Sequence, residues 1–122
     1  MVQLSGIAHF QLAAPSGAEP AARAYFGELL GLTEMPKPEV MAHRGGVWFE
    51  LSGGQQIHIG IESAFVPAKK AHPALTVDDI DTLAARLTAA GYEVRWSEEI
   101  PGTRRFHTED PWGNRLEFWA AG

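Results

Sequence analysis

Apolar and polar residues alternate over residues 56–61 and 115–118, the period of a strand with one buried face. Residues 7–14 also read as a strand and stop at Pro15-Ser16-Gly17, a cluster that punctuates rather than continues it. A helix is predicted next. Ala22, Tyr25, Phe26 and Leu29 fall at helical spacing, Pro20 suits a first turn, and Ser16 with Glu19 reads as a capping box. Gly31 is placed to end that helix in a left-handed conformation. A short strand is expected over residues 32–35, then a loop broken by Pro36 and Pro38. Residues 47–51 and 55–62 read as strands of a hairpin joined by Ser52-Gly53-Gly54.

After a connector over residues 63–70 the pattern restarts. Residues 71–77 read as a strand, and Asp78-Asp79 leads into a helix whose apolar face is Ile80, Leu83, Ala84, Leu87 and Ala90, closed by Gly91. Residues 92–96, 104–109 and 115–120 read as three more strands, the last two joined by the turn Asp110-Pro111-Trp112-Gly113-Asn114. The chain therefore spells strand, helix, three strands, twice, with one module over about residues 5–62 and another over about 70–121. Ala8-His9 matches Ala71-His72 at an offset of 63, Leu30-Gly31-Leu32 matches Ala90-Gly91-Tyr92 at 60, and Ile57-His58-Ile59 matches Leu116-Glu117-Phe118 at 59. Correspondences that keep their order with so little drift indicate a duplication within one α+β domain.

The repeat puts metal-donor side chains at equivalent places: His9 and His72 in each first strand, His58 and Glu117 in each last strand. Each lies on the strand face opposite a run of apolar residues, so each is expected to point away from the helices. If a pseudo-twofold axis relates the halves, the four donors converge on one centre. Imidazoles with one carboxylate suit one divalent ion such as Zn, Ni, Co, Mn or Fe(II), with a coordination position left for substrate. Trp48, Trp96, Phe106 and Trp119 are candidate pocket rings, at least half of them expected in the core. Arg104 and Arg105 are candidates to hold an anionic substrate through bidentate contacts, at least one of them being expected to be solvated, and Arg105 is the substrate candidate. Gln56 and Glu62 are candidate cavity residues. His107 and His43 read as structural, the first on a surface strand and the second beside Arg44-Gly45-Gly46.

Composition narrows the function classes. The 122 residues are 45% hydrophobic and 20% charged, a soluble globular balance rather than a disordered one. A formal net charge of -5 leaves no basic footprint for nucleic acid or an anionic membrane. The absence of cysteine excludes disulfides, thiolate metal sites and a cysteine nucleophile. No leader or membrane-spanning run is read in the sequence, so a cytoplasmic address is expected.

Ile7-Ala8-His9-Phe10-Gln11-Leu12, then Ala71-His72-Pro73-Ala74-Leu75-Thr76-Val77-Asp78-Asp79-Ile80-Asp81, and finally Asp110-Pro111-Trp112-Gly113-Asn114-Arg115-Leu116-Glu117 resemble the glyoxalase, bleomycin-resistance and extradiol-dioxygenase superfamily, also called the vicinal oxygen chelate proteins. The resemblance implies two βαβββ modules in a cup-shaped, incompletely closed barrel, assembled as a homodimer. It also implies metal-ligand character at His9, His72 and Glu117, with His58 at or near a fourth ligand position. The expected activity is that of a metalloenzyme acting on a small molecule that chelates the ion through vicinal oxygens, as lyase, isomerase, transferase or dioxygenase. Glu117 is its candidate catalytic carboxylate, and Trp48, Arg105 and Trp119 are its candidate substrate contacts. Glyoxalase I members carry a carboxylate where this chain has His58, which argues against a lactoylglutathione lyase. The alternative is a metal-free drug-binding protein of the bleomycin-resistance type.

Overall fold

A computed structural model describes all residues, Met1–Gly122, and the chain divides into two compact units, Met1–Phe65 and Val66–Gly122. The first unit contains strand β1 (His9–Ala14), a short helix α1 (Glu19–Ala22) that runs into a π-helical segment (Arg23–Leu29), and strands β2 (Thr33–Met35), β3 (Val47–Glu50) and β4 (Gln56–Ile61). They form one sheet in the order β1-β4-β3-β2, with β1 parallel to β4 and the other pairs antiparallel. The second unit contains β5 (Ala74–Val77), α2 (Ile80–Ala89), β6 (Arg95–Ser97), β7 (Arg105–Glu109) and β8 (Arg115–Ala120). Its sheet runs β5-β8-β7-β6, again with the outer first strand parallel to the last. Both modules are thus βαβββ units of one topology, as the duplicated pattern requires.

Alternation along the strands decides what is buried. In the first module Leu12, Ala14, Val47, Phe49, Ile57 and Ile59 lie in the core with Ala22, Tyr25 and Phe26 of the helical segment. Phe26 and Phe49 meet with ring centroids 5.7 Å apart. In the second module Phe106, Leu116 and Phe118 are buried, as are Ile80, Leu83, Ala84 and Leu87 of α2. Each large side chain so removed from water stabilises its module by about 2 kcal/mol. The opposite strand faces carry Gln56, His58 and Gly60 in the first module and Arg115, Glu117 and Trp119 in the second. These are the positions at which a site can be built.

Several boundaries differ from the sequence expectation. The capping box is not formed: Ala18 precedes α1 with no side-chain cap, and the Glu19 carboxylate accepts a bond from the Gly46 amide at 2.9 Å instead. Ser16 is held away in a turn that closes from the Ala18 N–H to the Pro15 carbonyl, with Gly17 at φ 82°. The first helix is also mostly π-helical, since the Leu30 N–H reaches back five residues to the Tyr25 carbonyl. The sixth strand is short, three residues from Arg95, and β5 starts at Ala74 rather than 71. Pro73 has no N–H to donate to a ladder, so His72 sits just ahead of the strand rather than within it. Ala90 ends α2 exposed instead of joining its buried face. The left-handed glycines fall where expected, with Gly31 at φ 75° and Gly91 at φ 93°.

Candidate functional site

Glu117 is the focus of the second module. Its place on β8 puts it on the polar strand face, and the antiparallel register sets it directly opposite His107 of β7, while the parallel register sets it opposite Ala74, two residues after His72. His72 Nε2 lies 2.8 Å from Glu117 Oε1, and His107 Nε2 lies 3.1 Å from the same oxygen. Arg105 Nη1 donates to Oε2 at 2.7 Å, and the Trp119 indole N–H donates to that oxygen too. Only 5% of the Glu117 side chain is exposed, against 25% for His72 and 13% for His107. Arg105 is buried as well, and its Nε finds no acceptor.

This environment fixes the charge of the carboxylate. Burial alone pushes the Glu117 carboxyl up, but the bonds from Arg105, Trp119 and His72 and the nearby His107 outweigh it and hold it at about 2. His107 is pushed down chiefly by its own burial, which favours the neutral ring, although Glu117 opposes that shift. The His72 ring is oriented from its far side, where Nδ1 lies 2.8 Å from the Lys70 carbonyl oxygen. That carbonyl can only accept, so Nδ1–H donates and Nε2 is the atom presented to Glu117.

Such a set fits a metal ion. The ligand atoms of His72, His107 and Glu117 all lie within 4.8 Å of one another. Donors bonded at about 2.1 Å to one ion stand roughly 3.0–3.4 Å apart, close to the separations between Glu117 Oε1 and the two imidazoles. The Lys70 carbonyl behind His72 is the outer partner that ligating imidazoles ordinarily have. Arg105 and Trp119 occupy Oε2, so Glu117 has only Oε1 to give.

In the first module His9 and His58 stack with centroids 4.1 Å apart and an interplanar angle of 11°, and Trp48 stacks on His58 at 3.7 Å and 4°. His58 is buried and bonds Gln56 Oε1 through Nε2 at 2.8 Å, and its burial, helped by His9, pushes its pKa down. Among the four donors named from sequence, the structure thus pairs His9 with His58 by stacking, and His72 with Glu117 by a hydrogen bond. The surface placement expected for His107 is corrected: it is mostly buried and touches Glu117. Counting back from the 110–114 turn places 107 opposite 117, which is the signal that finds it. His43 is exposed. Arg104 is the solvated member of its pair, bonded to Asp81, and Arg105 the buried one. Phe106 is core and Trp96 is exposed, whereas Trp48 and Trp119 flank histidine and glutamate of the sites.

Comparison with known proteins agrees with this architecture. A glyoxalase family protein from Bacillus anthracis is 47% identical over 100% of this chain and 99% of its own, with a TM-score of 0.94. An antibiotic-binding protein from a Streptomyces species has a TM-score of 0.75 at 21% identity, covering 100% of both chains. A lactoylglutathione lyase from Agrobacterium tumefaciens has a TM-score of 0.67 at 21% identity over 92% of each chain. The latter two likenesses are of fold. No curated protein matches the sequence. The model of the Glyoxalase/Bleomycin resistance protein/Dioxygenase superfamily matches residues 6–118, and the chain belongs to that superfamily.

Proposed function

We propose that this chain is a divalent-metal-dependent enzyme acting on a small molecule, with His72, His107 and Glu117 holding the ion. The convergence of two imidazole nitrogens on one carboxylate oxygen carries the proposal. A divalent ion at this place supplies Lewis-acid stabilisation of negative charge developing on a substrate oxygen. The chain's own groups prepare the ground for it. Arg105 and Trp119 keep Glu117 ionised and restrict it to one donor oxygen, Lys70 fixes the His72 tautomer, and burial keeps His107 neutral. His9 and His58, ligand candidates by sequence, stand in a ring stack with Trp48, and we assign that stack to ligand contact. Which reaction follows, whether lyase, isomerase, transferase or dioxygenase, depends on the substrate.

Cobalt(II) titration of chelator-treated protein tests the proposal. The wild type should take up one equivalent with visible d–d absorption, and His72→Ala and Glu117→Ala should each weaken uptake at least about tenfold. Failure of Zn, Ni, Co, Mn and Fe(II) alike to bind the wild type overturns it. The Arg105–Glu117 ion pair favours a second reading, a metal-free binding protein of the drug-sequestering kind, because the carboxylate is already neutralised by the protein. Tight antibiotic binding unaffected by chelator, together with no metal uptake, would establish that reading instead.

A further inference from the structure

We infer that the first module carries a binding site for a planar aromatic anion, an arene carboxylate in its simplest form, in the cavity walled by the His9, His58 and Trp48 rings and by the cations Lys37 and Arg44. The cavity measures about 560 Å³, within the range of small-molecule sites. It shares no residue with the His72–His107–Glu117 group.

The strand order stacks three rings along one wall. Because β4 lies between β1 and β3, His58 is the middle ring of a column, with His9 on one side and Trp48 on the other. Both faces of His58 are covered within the column, so the π-face left for a further flat ring is the outer one of exposed His9 or of Trp48. A saturated ring of equal size cannot match that contact.

The charges select the sign of the ligand. Lys37 and Arg44 line the cavity and no carboxylate does. Neither cation belongs to an ion pair. The Lys37 ammonium donates to the Arg44 carbonyl, which ties the two ends of the loop together through main chain and does not engage the Arg44 guanidinium. Glu19, the acid that feels Lys37, has Oε2 committed to the Gly46 amide. In a chain of net charge -5, an acid-free cavity with two cations is a local reversal of sign. The guanidinium fork matches a carboxylate.

Gln11 supplies the polar floor. A Cβ at Gly60 would lie 2.6 Å from Gln11 Nε2, so the glycine is what lets that amide lie across β4 on the ring-bearing face. There it offers both a donor and an acceptor to a bound molecule.

Isothermal titration of the full chain in EDTA with 2-naphthoate, neutral 2-naphthamide and non-planar cyclohexanecarboxylate tests the inference. Naphthoate should saturate one site per chain and perturb the ring resonances of His9 and His58. The other two probes should bind at least about tenfold more weakly, as should naphthoate to Arg44→Gln or Lys37→Gln. Trp48→Leu should lose the preference for naphthoate over cyclohexanecarboxylate. Should that variant unfold, the two charge variants, at exposed Arg44 and half-buried Lys37, still decide the matter. Equal affinity for naphthoate and naphthamide, unchanged affinity in both charge variants, or no saturable naphthoate binding overturns the inference. The chelator keeps this outcome separate from that of the cobalt titration.

Discussion

Four side chains donate to or face the two oxygens of Glu117, and that saturation governs how the residue responds to pH and to charge. Its carboxyl is held at about 2 against an ordinary value of 4.5. A depressed acid of this kind contributes stability that is complete above the unfolded value and is lost on acidification. In chelator-treated protein, stability by urea titration should therefore fall as pH drops from about 4.5 towards 2. Glu117→Gln should flatten that part of the profile. The Arg105 that keeps this carboxylate ionised also repels any cation bound at Oε1, because its guanidinium stands on Oε2. Arg105→Gln should accordingly tighten cobalt binding about tenfold, and a loss of affinity instead would show that Arg105 serves to position the carboxylate. His72 and Glu117 were legible in the sequence as donors because the repeat sets them beside the first and last strands of one module, and Glu117 also sits in an apolar alternation. His107 was not, because its partner is set by the hairpin register, which becomes visible only when strands are counted from their turn.

At the scale of elements, the chain's punctuation read well, as did the start of α2 at its Asp79 cap, whereas the start of the first helix read poorly. Turn glycines declare themselves, because backbone geometry leaves few alternatives. Gly46, at φ 106°, is the sharpest case: a Cβ there would stand 2.1 Å from the Ile59 carbonyl oxygen, which is main chain and cannot step aside. Gly46→Ala should cost about 2–4 kcal/mol in chemical denaturation. The Asp110–Asn114 turn was recognised by composition, but its network was not. Asp110 Oδ1 accepts from the Trp112 and Asn114 amides, Oδ2 from the Asn114 side chain, and Asn114 Oδ1 accepts from the Ala68 amide. Asp110→Ala should destabilise by about 3 kcal/mol, since it strands buried donors. The capping box failed for a tertiary reason, the Gly46 amide competing successfully for the Glu19 carboxylate. The π-helical stretch has no sequence signature in its apolar spacing, which suits an α-helix equally well.

The duplicated topology of the whole molecule follows from ordered similarity at drifting offsets. The pairing of donors within each module is not written in the sequence, because side-chain contacts depend on strand neighbours that are distant along the chain. Metal binding should appear globally as thermal stabilisation. Cobalt at a hundredfold excess over its dissociation constant adds about 2.7 kcal/mol, a rise in Tm that Glu117→Ala should at least halve. Sedimentation of the purified chain checks the expected homodimer. The Trp119 indole, bonded to the Glu117 carboxylate, gives the molecule an intrinsic optical gauge. Whatever changes the occupancy of Glu117 must change the emission of that one chromophore, so subtracting the spectrum of Trp119→Phe isolates the state of the site without any added label.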